Sequence, residues 1–247
     1  MKTNFSEIVD EVIRQSDIVL EILDSRFPEK TRNKELEDMI RSRGKRLIYV
    51  LNKCDLVSKE QSEKLKRNLK PSIFVSSIKR LGTTVLLKEI LKQATYFTKE
   101  RIIVGVTGYP NTGKSSVINA LVGRHSARTS PVSGFTKGKQ LIKLAKNIYL
   151  MDTPGIFSYD EDDQLKNILT ASKDPSKIRD ATEAARQLIR TLDGKIESHY
   201  GVEKAEDVDQ TLEIIALKFH RLRKGGLPDV DVISRKIIQE WQRGKIK

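Results

Sequence analysis

The chain of 247 residues holds a single cysteine, Cys54, and that scarcity excludes two classes at once. No disulfide can close within it, and a cysteine-rich zinc module, which needs several ligands at close spacing, has nothing to build on. A reducing, cytoplasmic setting is the simplest expectation. Long hydrophobic runs are missing as well, since nothing approaches the roughly 18 consecutive apolar residues of a membrane span. The opening Met1-Lys2-Thr3-Asn4-Phe5-Ser6-Glu7 has an acid within its first turns and lacks the apolar stretch of a secretory signal. A protein that is neither exported nor membrane-spanning is expected. Internal repeats and low-complexity tracts are absent, so little of the chain reads as disordered. Acids are absent from one long window: Arg101 to Met151 carries eight Lys or Arg residues and no Asp or Glu.

What is present fits a soluble globular chain: 38% hydrophobic residues, and enough length for one α/β domain with a core plus a smaller appendage. A net charge of +13 attracts polyanions, with nucleic acid or an anionic membrane surface as the usual partners. Apolar runs bounded by turn or charged residues read as buried strands at 18 to 24, 46 to 51, 72 to 76 and 102 to 107. Two more, near 139 to 144 and 147 to 152, are joined by a tight Ala145-Lys146-Asn147 turn and are expected to pair antiparallel. Helical spacing lies between them, at Glu35 to Arg41, Gln61 to Leu69, Thr84 to Ala94 and Ser115 to Leu121. The alternation predicts an α/β fold with a mostly parallel six-stranded sheet covered on both faces. After Asp163 the strand signal stops. Helical periodicity follows at 164 to 171, 176 to 198, 205 to 223 and 230 to 242, with Gly225-Gly226-Leu227-Pro228 separating the last two. Two domains are expected, residues 1–163 and an all-helical 164–247.

Gly108-Tyr109-Pro110-Asn111-Thr112-Gly113-Lys114-Ser115 fits G-x-x-x-x-G-K-[ST] between a strand and a helix, the context a phosphate loop needs. Glycines let backbone N–H groups turn inward around phosphates, and the helix N-terminus adds positive potential. Lys114 is then expected to reach the β- and γ-phosphates, Ser115 to ligate Mg²⁺, and Ser116 to join the nucleotide-binding residues. Asp152-Thr153-Pro154-Gly155 follows a strand about 37 residues after Ser115, so Asp152 can hold Mg²⁺ through water and the Gly155 N–H can sense the γ-phosphate. By itself Asp-Thr-Pro-Gly is a weak signal, because Pro-Gly commonly makes a bland turn; its position after Ser115 is what favours the functional reading. Between the two motifs, Gly134-Phe135-Thr136-Lys137 offers Thr136 as a further Mg²⁺ and γ-phosphate ligand, with Thr129 and Ser133 as rivals.

Asn52-Lys53-Cys54-Asp55 supplies the base. The Asp55 carboxylate can accept from the N1–H and 2-amino group of guanine, an edge that adenine lacks. Asn52 would tie loops together and the Lys53 stem would cover the base. Val75-Ser76-Ser77-Ile78 ends the next strand, where Ser76 or Ser77 could offer an N–H to the guanine oxygen. Cys54 reads as a packing residue.

The base motif precedes the phosphate motif, the reverse of an ordinary GTP-binding domain. With that order, the chain resembles the circularly permuted GTPases, most closely the ribosome-biogenesis family that includes bacterial RbgA (YlqF). Asp24-Ser25-Arg26-Phe27-Pro28 followed by Arg32-Asn33 is similar to that family's D-A-R-x-P…R-N signature, and Tyr200-Gly201-Val202 and Arg223-Lys224-Gly225-Gly226 are similar to its tail. The resemblance spans nearly the whole chain and implies GTP or GDP and Mg²⁺ as ligands, Lys114, Thr136, Gly155 and Asn111 as catalytic residues, and a switch acting in large-subunit assembly. Asn111 resembles the asparagine with which some GTPases hold K⁺, which makes K⁺ stimulation an expectation. Two features depart from familiar GTPases: Ile156 stands where many place a water-orienting glutamine, and the only histidines are His125, His199 and His220, so an N-terminal catalytic histidine has no counterpart. A slow intrinsic rate, stimulated by the ribosome, is expected.

Cutting the domain before the Ile18 to Leu23 strand leaves the second switch, Asp152 to about Asp163, joined directly to the helical domain, which could pass nucleotide-dependent movement on as a lever. Arg124, Arg128, Lys137, Lys139, Lys143 and Lys146 surround the first switch and could meet rRNA phosphates. Lys218-Phe219-His220-Arg221-Leu222-Arg223-Lys224 forms a second basic cluster, with Lys218, Arg221, Arg223 and Lys224 expected on RNA and Phe219 expected in the core. Trp241 is expected to anchor the last helix. The partners so implied are the large-subunit precursor and its rRNA, no membrane, and a monomer off the ribosome. A regulator of a non-ribosomal protein partner is the alternative, and an ATP-dependent enzyme is disfavoured by Asp55.

Overall fold

Alternation along one strand sets the layers of the computed structural model, which describes residues 5–109, 111–123, 131–132, 140–152, 176 and 178–246. Strand β1 (Ile18–Asp24) is buried at every position. Its residues Ile18, Leu20 and Ile22 join a core with Leu86, Ile90, Val117, Ile118 and Leu121, while Val19 and Leu23 point the other way into a core with Val12, Ile13, Leu36 and Ile40. A strand buried on both faces belongs in the middle of a parallel sheet. Among the described residues β1 is joined by β2 (Arg46–Asn52), β3 (Ser72–Phe74), β4 (Ile102–Thr107), β5 (Pro131–Val132), β6 (Gln140–Lys143) and β7 (Ile148–Asp152), in the order β3-β2-β1-β4-β7-β6-β5. β3, β2, β1, β4 and β7 run parallel, and β6 pairs antiparallel with β7 and β5. The six expected strands are present, and the two-residue β5 extends the edge beyond them.

Helices α1 (Phe5–Gln15), α2 (Pro28–Thr31), α3 (Lys34–Ser42), α4 (Lys59–Asn68), α5 (Thr83–Ala94) and α6 (Lys114–Gly123) connect or precede these strands. Asn33 starts α3 by accepting from the Leu36 N–H, and a capping box of Ser58 and Gln61 starts α4 two residues before the periodicity suggests. Neither α1 nor the one-turn α2 stands out in the sequence. α1 approaches the sheet closely at Gly105 of β4, where a Cβ would fall 2.2 Å from Ser16 Oγ and 3.1 Å from Val12 Cγ1.

The same face of β1 that carries Val19 and Leu23 also buries Glu21 completely. Glu21 Oε1 accepts from the Asn33 N–H at 2.9 Å, while Oε2 has no partner among the described residues. Nearby, Arg32 binds Glu37 in bidentate fashion at 2.7 and 2.9 Å, and Glu37 also accepts from Arg41 and from the Tyr49 hydroxyl. Burial alone would raise the Glu37 carboxyl, but the donors from Arg32 and Tyr49 bring it below its ordinary range. Glu21 lacks such donors, and burial, opposed by the Asn33 N–H and reinforced by Glu37, pushes it up to about 8.

The chain divides into two compact units, Met1–Ser158 and Tyr159–Lys247. In the second, α7 (Ala181–Leu192), α8 (Lys195–Tyr200), α9 (Val208–Lys218) and α10 (Val230–Gln242) surround Leu188, Ile215, Ile237 and the buried Trp241. The single helix expected over 176 to 198 is instead two, because Asp193 (φ 38°) and Gly194 (φ 79°) both adopt left-handed conformations. The helix expected to reach 223 stops at Lys218; His220 is left-handed (φ 52°) and the chain turns into a hairpin that bridges Leu222 to Pro228. The helical expectation at 164 to 171 lies outside the described residues. Among the described residues no helix is long and apolar enough to cross a membrane.

Between pH 4.5, the ordinary carboxyl value, and about 8, the folded chain keeps the Glu21 proton that the unfolded chain has released. The group therefore costs stability as pH rises through that window. Glu21→Gln, which keeps the Asn33 acceptor, should match wild type at pH 4 in urea unfolding and gain on it steadily to pH 8, by at most about 1.4 kcal/mol for each pH unit crossed. A difference independent of pH would contradict the protonated assignment.

Candidate functional site

Parallel strands end at a common edge, and here β1, β2, β4 and β7 deliver Asp24, Asn52, Gly108 and Asp152 to it. β2 and β4 are not neighbours, for β1 lies between them. Asn52 closes that gap: its buried Nδ2 donates to the Thr112 carbonyl at 2.8 Å, and its Oδ1 accepts from the Ser77 N–H at 3.3 Å. One side chain thus joins the base motif, the phosphate motif and the loop after β3. The expected tie between loops is present.

The phosphate loop explains its own glycines. Gly108 has φ 143°, and a Cβ there would meet the Ile22 carbonyl oxygen at 2.4 Å. Gly113 has φ 93°, and its Cβ would lie 2.2 Å from Asn52 Nδ2, on the amide that holds the loop. Thr112 is buried and its hydroxyl donates to the Tyr109 carbonyl at 2.8 Å. Lys114 opens α6 and donates from Nζ to the Gly108 and Tyr109 carbonyls at 2.8 and 2.9 Å. Burial lowers its ammonium to about 8. Ser115 and Ser116 are exposed on the first turn of α6, and Asn111 is exposed with φ 59°. A cation gathered over a cradle with no room for Cβ atoms fits a polyphosphate chain, and the Ser115 hydroxyl beside it fits the hard-oxygen demands of Mg²⁺. A cleft of about 300 Å³ opens between Ser116, Asn119, Ala120 and Gly123 of α6 and Ser77, Ile78 and Arg80 of the loop after β3.

On the base side, Lys53 is left-handed (φ 59°) and leads into a short 3₁₀ turn, Cys54–Leu56, that carries the half-buried Asp55. Its Nζ donates to Asp24 Oδ2 at 2.8 Å. Burial would raise the Asp24 carboxyl, but Arg26 and Lys53 hold it down at about 2. Burial also raises the Cys54 thiol, and the Cys54 backbone N–H donates to the Val75 carbonyl at 3.1 Å, as suits a packing residue. Ser76 and Leu81 exchange backbone hydrogen bonds at 3.1 and 3.0 Å, so the Ser76 amide is already engaged, as is that of Ser77 through Asn52. Nothing in the local sequence pattern marks the link from Lys53 to Asp24 and Arg26, although both of the latter belong to the signature at 24 to 28.

Of the switch residues, Asp152 ends β7 opposite Gln140. Thr136, Gly155, Arg124, Arg128, Lys137 and Lys139 lie outside the described residues. Lys143 is half-buried opposite Tyr149, and Lys146 is exposed in the turn between β6 and β7. In the second unit Lys218, Arg221, Arg223 and Lys224 are exposed; Lys218 Nζ donates to the Gly201 carbonyl at 2.6 Å and Arg223 pairs with Asp229 at 3.3 Å. Phe219 does not enter the core. It is 39% exposed, because it caps α9 after the last helical turn, and it sits edge-on to Tyr200 at 5.4 Å with Lys236 Nζ 5.0 Å from its ring.

Comparison with known proteins agrees with this arrangement. A family model described as RsgA GTPase matches residues 7–161, and one described as 50S ribosome-binding GTPase matches residues 103–221. An uncharacterized GTP-binding protein of Methanocaldococcus jannaschii is 41% identical over 99% of this chain and 66% of its own length. Nucleolar GTP-binding protein 2 of Saccharomyces cerevisiae is 36% identical over 95% of the chain and 50% of its own length, and nuclear/nucleolar GTPase 2 of Oryza sativa subsp. indica is 33% identical over 95% and 46%. The chain thus spans about half to two thirds of these relatives. Among solved structures, GDP-bound TM YlqF matches at 25% identity with a TM-score of 0.68, over 96% of this chain and 94% of that one. GNP-bound YlqF from T. maritima, at 24% identity, TM-score 0.66 and 97% and 94% coverage, supports the fold alone. The cytoplasmic expectation is overturned by the eukaryotic relatives, which are named for the nucleus and nucleolus. A lone thiol and the lack of apolar spans say nothing that separates those compartments from the cytoplasm. The base-before-phosphate order, the sheet that brings the two motifs to one edge, and these matches carry one conclusion: the chain belongs to the circularly permuted GTPases of the YlqF family.

Proposed function

We propose that the chain binds and hydrolyses GTP and, as a switch, assists assembly of the large ribosomal subunit through nucleotide-dependent contact with rRNA in its precursor. The observation that carries the reading is the Asn52 side chain, which joins a guanine-reading loop to a phosphate loop across an intervening strand. Asp55 reads the guanine edge, the Lys53 stem faces the ring, and Ser76 and Ser77 line the adjoining turn. Gly108, Asn111, Thr112, Gly113, Lys114 and Ser116 receive the phosphates. Ser115, Thr136 and Asp152 would hold Mg²⁺, which when bound neutralises charge on the phosphate oxygens. Lys114 contributes its charge at the same oxygens, and Gly155 offers a backbone N–H to the γ-phosphate. Ile156 has no proton to give or take, so turnover by the chain alone is slow and awaits the ribosome, with K⁺ at Asn111 as a further aid.

The ribosomal part of the reading is supported by the description of the family at 103–221 and by the nucleolar names of relatives. Residues 164–247 act as the RNA-binding domain, driven from the second switch. The basic residues at 124, 128, 139 and 143 and at 218, 221, 223 and 224 supply counterion-displacing contacts to phosphate.

Guanine recognition is tested by Asp55→Asn. Losing two charge-assisted hydrogen bonds should weaken GTP roughly 10- to 100-fold and shift preference toward xanthosine triphosphate; unchanged preference would sink the assignment. Ribosomal action is tested by sedimentation with large-subunit precursors. Binding should be stronger with a non-hydrolysable GTP analogue than with GDP, and should weaken as salt is raised. Indifference to the nucleotide would count against a switch. Hydrolysis rates in matched Na⁺ and K⁺ buffers decide the role of Asn111, equal rates excluding K⁺.

A further inference from the structure

The signature that begins at Asp24 has no part in the phosphate chemistry, yet it is built into the base loop. β1 and β2 are parallel with Asp24 opposite Asn52, so a carboxyl at the end of β1 meets the residue that follows Asn52. Asp24 is fully buried and all its acceptor capacity is engaged. Oδ2 accepts from Lys53 Nζ and Arg26 Nη2, each at 2.8 Å, and Oδ1 accepts from Arg26 Nε at 3.0 Å and the Arg26 N–H at 3.1 Å. The Arg26 and Lys53 side chains are only 4% and 16% exposed. An ion cluster so desolvated resists rearrangement, since parting the charges would strand one of them away from water.

The backbone beneath is equally constrained. The Asp24 N–H donates to Thr31 Oγ1 at 3.1 Å, and the Ser25 N–H donates to the Asn52 carbonyl at 2.9 Å. Lys53 is held at its other end by its left-handed backbone and by the Cys54 N–H on Val75. A lysine free in solvent samples many rotamers. This one is pinned at both ends, so its methylene stem follows one path.

We propose that Asp24, steadied by Arg26, is a positioning residue of the guanine site: by anchoring the Lys53 ammonium it fixes the stem as a ready-made apolar face for the purine ring before nucleotide arrives. The inference rests on the guanine-nucleotide reading above. A methylene face does not distinguish one purine edge from another, so Asp24 governs affinity for purine nucleotides in general while Asp55 governs the choice among them. Without the anchor, binding must immobilise a rotamer-rich side chain, a loss of about tenfold in affinity.

Stopped-flow binding of fluorescent GDP and IDP to the full chain tests this. Asp24→Asn should raise Kd about tenfold for both diphosphates alike, chiefly through faster release. Lys53→Met keeps an apolar stem but cuts the anchor, and should show the same tenfold loss with Asp24 intact, which keeps the test open if Asp24→Asn fails to fold. Adding Asp24→Asn to Lys53→Met should then change Kd less than twofold. Wild-type affinity in either single variant, or an equal Asp24→Asn loss in both backgrounds, overturns the inference alone. A wild-type chain that binds neither diphosphate overturns the guanine reading and this inference with it.

Discussion

The 2.8 Å hydrogen bond from Asn52 Nδ2 to the Thr112 carbonyl is the contact around which the site is organised. It crosses the end of β1 to connect strands that do not pair, and it is buried, so its loss would leave an amide and a carbonyl without partners in a dry setting. Gly113 must be glycine for two reasons: its left-handed backbone, and the amide occupying the space a Cβ would need. Gly108 is constrained similarly by the Ile22 carbonyl of β1. The phosphate loop is therefore shaped by the strands beside it as well as by its own sequence, and the spacing of its glycines records where β1 and β2 stand.

Sequence made the sheet and the loops legible because the long parallel strands β1, β2 and β4 are mainly apolar and each stops at a polar residue at the ligand edge. The same rule hid the polar network beneath. Glu21 sits in such a run as a single acid, and nothing local indicates that Asn33, twelve residues on, supplies its donor. Likewise Asp24, Arg26 and Lys53 are adjacent only because β1 and β2 are in register, a fact of pairing that no short window contains. Helix boundaries failed where left-handed backbone decided: Asp193 and Gly194 break what reads as a continuous amphipathic pattern, and His220 ends α9 before Phe219 can complete another buried turn.

The second unit shows what that early ending does. Leu212, Ile215 and Ala216 fill the core, while Leu217 through Leu227 are exposed throughout. The stretch mixes exposed leucines with Lys218, Arg221, Arg223 and Lys224, and its turn is built on Gly225 and Gly226, both left-handed. Phe219 and Lys236 lie together against Tyr200 at the surface, an aromatic ring and an ammonium in mutual contact. The bridge from Leu222 to Pro228 thus places basic side chains and exposed leucines on one short hairpin.

Circular permutation is neutral for the sheet but not for what is attached to it. A connection from β7 to β1 in an unpermuted chain would have to pass over β4, which lies between them. In this chain α1 enters β1 and packs on β4 at Gly105, so the covering of β4 is retained by a segment that no longer leads from β7. The division between the two compact units falls between Ser158 and Tyr159, shortly after β7 ends at Asp152. In an ordinary arrangement, movement after the Asp-x-x-Gly motif is absorbed by a segment tied down at both ends within the domain. Here the Asp-x-x-Gly motif stands in the sequence between the last strand of the sheet and the second unit, which is the chain order that the proposed lever from the second switch requires.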